Sequence, residues 1–305
     1  MIGRVALLVT FKKAKPKSQS LSRSHIRDLP AIKMRIILTT FIISISQMAF
    51  AQLDQFIGTW ITSQNEFLEI RDTTNKYDNS NHLSTEGRDE GMAVFLFDDT
   101  LSFQKRYYSS ATNYEKLYID RYDLKVLNHN DSILVVKPVS KLSKKFFREK
   151  DSLTFIRQKF AIDNDINIEK VVFHTSGCFG SCPTYHLQIE KNKKVKLHVQ
   201  TVYQEHSMYD VDSSKIGYFE GSLDEINYQE LELLLKTCNL RTLEFDGANC
   251  CDGSLITIIV YFNNQRKYLQ SMFPPEIATE LISHLYKICE ETDLDRVEEQ
   301  FEIEK

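Results

Sequence analysis

The sequence predicts an α+β protein in which an all-β half is followed by a half of mixed type. Between residues 53 and 159, short apolar or alternating runs recur and turn-rich gaps separate them. This pattern is typical of a small β-barrel or sandwich. Between residues 170 and 292, the runs follow the order β-β-β-α-β-β-α. That order predicts an antiparallel sheet with two helices packed on one of its faces.

The strands of the first half are predicted from apolar or alternating runs, which are residues 56–61, 67–70, 92–97, 101–107, 114–119, 133–136 and 153–156. The segment 72–91 is polar, and we predict one long loop there. Residues 160–169 are predicted as a linker. The first domain is therefore expected at residues 52–159 and the second at residues 170–292.

The second half begins with three predicted strands, which are residues 170–173, 185–189 and 195–202. A turn at residues 192–194 is expected to join the last two as a hairpin. Two further runs, residues 255–262 and 267–271, flank the turn signal Asn263-Asn264 and predict a second hairpin.

Two helices are predicted from capping residues and periodicity. For the first helix, Asn227 is the expected N-cap and Glu230 completes a capping box. Its apolar face is formed by Leu231, Leu234, Leu235 and Cys238. The second helix is expected to start at Pro274-Pro275, because proline is favoured in a first turn. Its apolar face is formed by Ile277, Leu281, Leu285 and Ile288.

The N-terminal region carries an export signal. Met34 precedes a basic residue and a short apolar run, and an A-x-A pattern ends at Ala51. This predicts a signal peptide at residues 34–51, cleaved before Gln52. Residues 1–33 show no fold pattern, so we predict an upstream mis-start, with a long basic leader as the alternative. The apolar run is too short to span a bilayer. We therefore expect a periplasmic or extracellular protein without a membrane span after cleavage.

The charge of the exported part excludes some partners. Residues 1–51 hold 9 of the 38 basic and 1 of the 42 acidic residues, so residues 52–305 carry a net charge of −12. Such a surface repels nucleic acids and anionic lipids at long range. Part of this charge lies in the acidic tail at residues 293–305, which we predict to be solvated.

Two cysteines mark a loop in the stretch GCFGSCPTY, residues 177–185. Cys178 and Cys182 lie four residues apart, glycines permit a tight bend, and Pro183 restricts the exit from it. All six cysteines lie in the second half, and an even number in an exported chain favours disulfides. We therefore predict a Cys178–Cys182 disulfide that holds this loop.

The pairing of the other four cysteines stays open: Cys238, Cys250, Cys251 and Cys289. A bond between adjacent cysteines needs a strained ring, so separate partners are favoured for Cys250 and Cys251. Cys238 and Cys289 are available on the two helices. For Cys289, a free buried thiol is the alternative.

Two other chemistries stay open for the cysteine loop. A metal set is suggested by the fourfold spacing of His174, Cys178, Cys182 and His186, whose donors suit copper or zinc. However, the glycines and the proline of the loop interrupt the single helix that would gather them. A thiol-redox site normally has C-x-x-C spacing at a helix N-terminus, and neither feature is present.

The same stretch carries a resemblance to a known family. The pattern G-C-x-G-x-C-P-x-Y resembles an uncharacterised bacterial domain, domain of unknown function 6438, through Gly177, Cys178, Gly180, Cys182, Pro183 and Tyr185. The resemblance covers about residues 168–292 and implies a fold unit without an established activity. In the first half, Gly58-Thr59-Trp60 and the stretch DSLTFI at 151–156 resemble lipocalin-like domains of exported bacterial proteins. That resemblance implies a barrel whose closed end is plugged by the Trp60 ring.

These observations favour an exported binding or structural module of the bacterial envelope over an enzyme. The expected partner is a small apolar ligand or another envelope protein, and no cofactor is predicted. The chain lacks the G-x-S-x-G, H-E-x-x-H and phosphate-loop motifs. The alternative is a copper-binding, zinc-binding or thiol-redox protein that acts through Cys178 and Cys182.

Overall fold

The computed structural model describes residues 53–71, 81–85, 88–204, 207 and 209–305. The predicted upstream segment, the signal peptide and the cleavage point between Ala51 and Gln52 lie outside these residues. The described part contains a closed barrel, a seven-stranded antiparallel sheet and three α-helices. This is the predicted α+β architecture. None of the helices in these ranges is long and apolar enough to cross a membrane.

Eight antiparallel strands form the barrel: β1 Gly58–Ile61, β2 Phe67–Ile70, β3 Asn81–Thr85, β4 Arg88–Phe97, β5 Thr100–Tyr108, β6 Leu117–His129, β7 Ile133–Pro138 and β8 Leu153–Arg157. The sheet closes on itself because β1 pairs with both β2 and β8. A short helix, α1 at Lys141–Phe146, connects β7 to β8.

Inward-facing side chains fill the barrel, and they alternate with outward-facing ones along the strands. The largest of these buried residues are Trp60, Leu68, Ile70, Leu83, Met92, Leu101, Phe103, Leu124, Leu134 and Phe155. Trp60 is fully buried on the first strand, and its Nε1 donates a hydrogen bond to the Phe56 carbonyl oxygen at 2.8 Å. The barrel fits the lipocalin-like expectation, while its interior is occupied by protein side chains.

The prediction of one long loop at 72–91 is wrong. Residues 81–85 form β3, and β4 begins at Arg88. β3 has the sequence NHLST, and Leu83 is its only residue in the apolar core of the barrel. The strand forms through its backbone ladders with β2 and β4, so an apolar periodicity does not mark it in the sequence.

The strands of the second sheet have the spatial order β14-β13-β9-β10-β11-β12-β15. They are β9 Ile168–Thr175, β10 Thr184–Glu190, β11 Lys194–Thr201, β12 Gly217–Ser222, β13 Ile256–Phe262, β14 Gln265–Ser271 and β15 Asp295–Val297. The sequence predicts five of these strands and misses β12 and β15. β12 has no fully buried residue and β15 is only three residues long, so neither shows apolar alternation.

Two longer helices cover one face of this sheet, as predicted: α2 Glu225–Thr237 and α3 Thr279–Glu291. They share one apolar core with the sheet, which includes Leu231, Leu235, Leu281, Leu285, Phe173, Leu187 and Ile258. The predicted N-cap of the first helix is wrong by three residues. The N-cap is Asp224, whose carboxylate accepts a hydrogen bond from the backbone N–H of Asn227 at 2.9 Å. A carboxylate suits this position because it also faces the positive end of the helix dipole.

The C-terminal segment is packed onto the opposite face of the sheet, whereas the sequence predicts a solvated tail. β15 pairs with β12, and Ile303 is buried against Val172 and Ile259. The carboxylate of Glu304 contacts Lys170 Nζ at 2.7 Å and Arg266 Nε at 3.0 Å. Composition predicts solvation because six acidic residues lie near the end of the chain. However, the apolar side chains of Leu294, Phe301 and Ile303 among them pack against core residues.

The barrel and the second sheet share part of one core. Ile61 and Phe67 point outward from the barrel and belong to the core beneath the helices. Hydrogen bonds reinforce this junction, including Asn239 Nδ2 to the Thr62 carbonyl oxygen at 2.9 Å and Gln158 Nε2 to the Ile277 carbonyl oxygen at 3.1 Å. Side chains of the barrel wall are therefore held in fixed positions against the second half of the chain.

Candidate functional site

Four loops meet at one end of the second sheet, and they carry four of the six cysteines. Antiparallel pairing places the end of β9 beside the starts of β10 and β13, and the end of β11 beside the starts of β10 and β12. The end of β14 lies there as well. We call this region the cysteine end; it comprises the β9–β10, α2–β13 and β14–α3 connections, at residues 176–183, 239–255 and 272–275, and the described residues 202–204, 207 and 209–216 between β11 and β12.

The β9–β10 loop contains the predicted pair. The sulfur atoms of Cys178 and Cys182 lie 1.95 Å apart and their Cα atoms 5.5 Å apart, which are the distances of a disulfide. Gly180 has φ +151°, a backbone conformation that disfavours other residues. At the base of the loop, Thr175 Oγ1 donates to the Pro183 carbonyl oxygen at 2.8 Å. The loop is thus closed at its neck and at its base.

Hydrogen bonds tie this loop to the α2–β13 loop. The backbone N–H of Phe179 donates to the Asp252 carbonyl oxygen at 3.0 Å. Ser254 Oγ donates to the Ser176 carbonyl oxygen at 2.6 Å, and Ser176 Oγ accepts from the backbone N–H of Leu255 at 2.9 Å. The two cysteine-bearing loops therefore form one connected surface.

The α2–β13 loop presents two adjacent thiols. Cys250 and Cys251 are exposed, and their sulfur atoms lie 2.6 Å apart. The hydrogen bond with Cys251 raises the pKa of the Cys250 thiol. The sequence favours separate partners on the helices for these residues, but the structure leaves Cys238 and Cys289 buried and unbonded.

Burial makes the helical cysteines unreactive. It raises the pKa of the Cys238 thiol to about 12 and raises the pKa of the Cys289 thiol well above its ordinary value. A thiol with so high a pKa forms little thiolate at neutral pH, and the thiolate is the nucleophile and metal ligand. The accessible sulfur chemistry of the molecule is therefore concentrated at the cysteine end.

A row of aromatic rings crosses four strands beside the cysteine end. Cross-strand pairing aligns His174, His186, His198 and Tyr218 on β9 to β12. The His198 ring stacks on the Tyr218 ring with centroids 4.2 Å apart. The row lies on the sheet face that the C-terminal segment covers, because the Phe301 ring contacts Tyr218.

Two histidines of this row share a hydrogen bond. The Nδ1 atoms of His174 and His186 lie 2.8 Å apart, and His174 Nε2 donates to the Glu304 carbonyl oxygen at 2.6 Å. Since a carbonyl only accepts, the His174 proton resides on Nε2, and Nδ1 accepts from His186. Burial lowers the pKa of His174, which favours this neutral form.

The structure brings together part of the metal set considered from the sequence. His174 and His186 meet across β9 and β10, whereas the sulfur atoms of Cys178 and Cys182 are at bonding distance from each other. The sequence overlooks His198, which faces His186. The hairpin between β10 and β11 pairs Ile189 with Val195, and this register aligns His186 with His198.

Removal of the Cys178–Cys182 bond should destabilise the protein moderately. We expect the double variant Cys178→Ser/Cys182→Ser to lose about 2 kcal/mol of unfolding free energy, because the unfolded chain regains the entropy of a five-residue loop. Urea denaturation at pH 7 under non-reducing conditions measures this loss. The matched control is Cys250→Ser/Cys251→Ser, which should change the unfolding free energy by less than about 0.5 kcal/mol. Equal losses in both variants would contradict a structural bond at 178–182.

Stability should fall between pH 7.5 and pH 5.5 through His174. Its folded pKa lies below the ordinary value of 6.5, so the unfolded chain binds protons first as the pH falls. The stabilisation is complete above pH 6.5 and is lost as the pH drops toward the folded pKa. We expect the urea midpoint of the wild type to decrease over this range and that of His174→Gln to decrease less. Equal decreases in the urea midpoints of the wild type and His174→Gln would show that His174 does not cause the pH dependence.

Comparison with known proteins identifies part of the chain. No curated protein and no solved structure matches it. A family model does match, over the segment that contains β9 to α3 and every loop of the cysteine end. Residues 169–291 match the family described as Domain of unknown function (DUF6438), as the pattern at 177–185 predicts.

Proposed function

We propose that the chain is an exported, non-enzymatic binding module that presents the cysteine end of its second sheet to another protein of the bacterial envelope. The observation that carries this proposal is the exposure of three aromatic side chains on three loops of that end. Phe179 and Tyr209 are each 86% exposed, and Phe273 is 58% exposed. Large aromatic residues contribute strongly to protein interfaces when a partner buries them.

The loop that carries Phe179 is preorganised for binding. The Cys178–Cys182 pair closes it, and the hydrogen bond to Asp252 fixes the Phe179 backbone. A fixed loop loses less conformational entropy when a partner docks, so more of the contact energy appears as affinity. A disulfide in this position also agrees with export, because disulfides persist in oxidising compartments. The signal pattern at residues 34–51 supports the same location in the periplasm or outside the cell.

A protein partner fits the molecule better than the small apolar ligand considered from the sequence. A small ligand of that kind would need an apolar cavity. The barrel interior is instead filled by large side chains such as Phe103, Phe155 and Met92, all fully buried. The exposed aromatic side chains on the loops therefore favour a protein partner over a small apolar ligand inside the barrel.

The proposal is tested by photo-crosslinking in cells at position 179. A photoreactive phenylalanine analogue replaces Phe179 in one variant. In the control it replaces Ile226, which is 77% exposed on α2 near the opposite end of the sheet. We expect a discrete covalent adduct from position 179, none from position 226, and a weaker adduct when Cys178 and Cys182 are also changed to serine. Identical adducts from both positions, or none from position 179, would contradict the proposal.

A second candidate function is thiol–disulfide exchange at the cysteine end. It is favoured by the two exposed thiols of Cys250 and Cys251 beside the 178–182 loop. A Cys251 thiolate attacks the disulfide and forms a mixed disulfide, and the released sulfur takes up a proton. Cys250 then attacks Cys251, which leaves a 250–251 disulfide and two thiols at 178 and 182, so electrons balance.

Acid-quenched alkylation and peptide mapping test this exchange. Exchange predicts that molecules with one disulfide are distributed between the 178–182 and 250–251 positions. A protein that carries the bond only at 178–182 after partial reduction would exclude it. Metal analysis of the native protein before the acid quench tests the copper or zinc alternative, whose candidate ligands are His174, Cys178, Cys182 and His186.

A further inference from the structure

Three side chains with metal-binding groups meet on the outer wall of the barrel. Glu69 on β2 and His82 on β3 are direct cross-strand neighbours. Glu276 reaches them from the 3₁₀ turn that precedes α3. One ligand atom from each lies within 4.8 Å of the others, and His82 Nδ1 lies 3.9 Å from Glu276 Oε1. None of these residues belongs to the cysteine end.

Each of the two carboxylates has one oxygen held by a threonine hydroxyl. Thr59 Oγ1 donates to Glu69 Oε1 at 3.5 Å, and Thr279 Oγ1 donates to Glu276 Oε2 at 3.2 Å. Such outer partners orient the ligands of metal sites. The backbone beside Glu276 is also fixed, since Gln158 donates to the neighbouring Ile277 carbonyl oxygen.

The charge balance around Glu69 favours a further cation. The residue is only 9% exposed, and its Oε2 atom is paired with the Arg71 guanidinium. A buried carboxylate oxygen requires a compensating charge or donor. Arg71 supplies part of this charge, with its Nε 2.8 Å from that oxygen, but its side chain is 49% exposed. One guanidinium against two carboxylates leaves a net negative charge.

We propose that Glu69, His82 and Glu276 bind one divalent transition-metal ion, for which zinc is the best fit. Zinc binds histidine nitrogen and glutamate oxygen at about 2.0–2.2 Å in tetrahedral sites, and three protein ligands leave one position for water. Ligand atoms in such a site are about 3.4 Å apart, so each side chain has to move by about 1 Å or less. Calcium and magnesium prefer oxygen-only sets of higher coordination number.

The ion would join the two halves of the chain. Two ligands come from barrel strands, and the third precedes a helix of the second half. Because the ion binds only where these ligands are gathered, it stabilises the folded arrangement of both. This inference does not depend on the proposed binding function.

Calorimetric titration of chelator-treated protein with zinc chloride at pH 7 tests the site. A Cys250→Ser/Cys251→Ser background removes the exposed thiols, which also bind zinc. We expect one equivalent of zinc and a rise of several degrees in the melting temperature. His82→Asn and Glu276→Gln should each weaken binding by at least about tenfold. The control Glu280→Gln should retain the affinity, since Glu280 lies in the first turn of α3, four residues after Glu276, without being a ligand.

The Arg71→Ala variant adds a test in which zinc affinity is expected to increase instead of decrease. If Arg71 competes with the ion for Glu69, its removal should increase zinc affinity. The inference is overturned if chelator-treated protein takes up no zinc. It is equally overturned if His82→Asn and Glu276→Gln bind zinc like the control, which would place the ion on the His174–His186 pair, or if Arg71→Ala leaves the affinity unchanged.

Discussion

Replacement of Trp60 by alanine should lower the unfolding free energy by about 4 kcal/mol. The indole is fully buried at the first barrel strand, and its Nε1 bonds to the Phe56 carbonyl oxygen. Alanine leaves a cavity that the closed strand ladder resists filling, and it strips the Phe56 carbonyl of its donor. The Arg157 guanidinium also loses the ring that it covers, at 4.3 Å from the centroid. Far-UV circular dichroism during urea denaturation measures the loss.

A matched control separates burial from ring size. Phe97 on β4 is 52% exposed, so Phe97→Ala should change the unfolding free energy by about 0.5 kcal/mol or less. If Trp60→Ala costs less than about 1 kcal/mol, or if the two variants behave alike, the tryptophan does not support the barrel.

Deletion of residues 293–305 should cost about 3 kcal/mol, although their composition predicts a solvated tail. Ile303 is 8% exposed against Val172 and Ile259, and burial of such a side chain stabilises by about 1.5–3 kcal/mol. The charged hydrogen bonds of Glu304 add to this. We expect a lower urea midpoint for the truncated chain and faster exchange of the backbone amide hydrogens of β13. Ile303→Ala should reproduce most of the loss, and the exposed Glu302→Ala almost none of it.

The contribution of Glu304 should also depend on pH. Hydrogen bonds from Lys170 and Tyr261 are the main causes that lower the pKa of Glu304 to about 2 in the fold, against an ordinary value of 4.5. The stabilisation is therefore complete above pH 4.5 and is lost as the pH falls from 4.5 toward 2. Glu304→Gln should reduce this slope below pH 4.5 while leaving the His174 dependence near pH 6. If Glu304→Gln loses as much stability below pH 4.5 as the wild type does, other carboxyl groups cause that loss.

At the cysteine end, the sequence predicts only the features that depend on neighbouring residues. The spacing of Cys178 and Cys182, with one glycine before them, one between them and a proline after them, predicts a closed bend from neighbouring residues alone. The approach of Cys250 and Cys251 to that bend was not predictable, because it depends on the pairing of β9 with β13, two strands that are distant in the sequence. The zinc site has the same origin, since the ladder between β2 and β3 brings Glu69 to His82.

The amino-acid sequence alone determined the fold class, the two helices of the second half and the bend at 177–185, because apolar periodicity and turn residues act over a few positions. Only the tertiary structure decided that β3, β12 and β15 are strands and that the acidic segment contains a buried isoleucine, Ile303. These elements have little apolar periodicity, so partner strands and an uncovered sheet face supply the hydrogen bonds and burial that form them. The same long-range pairing decided which histidines, thiols and carboxylates meet.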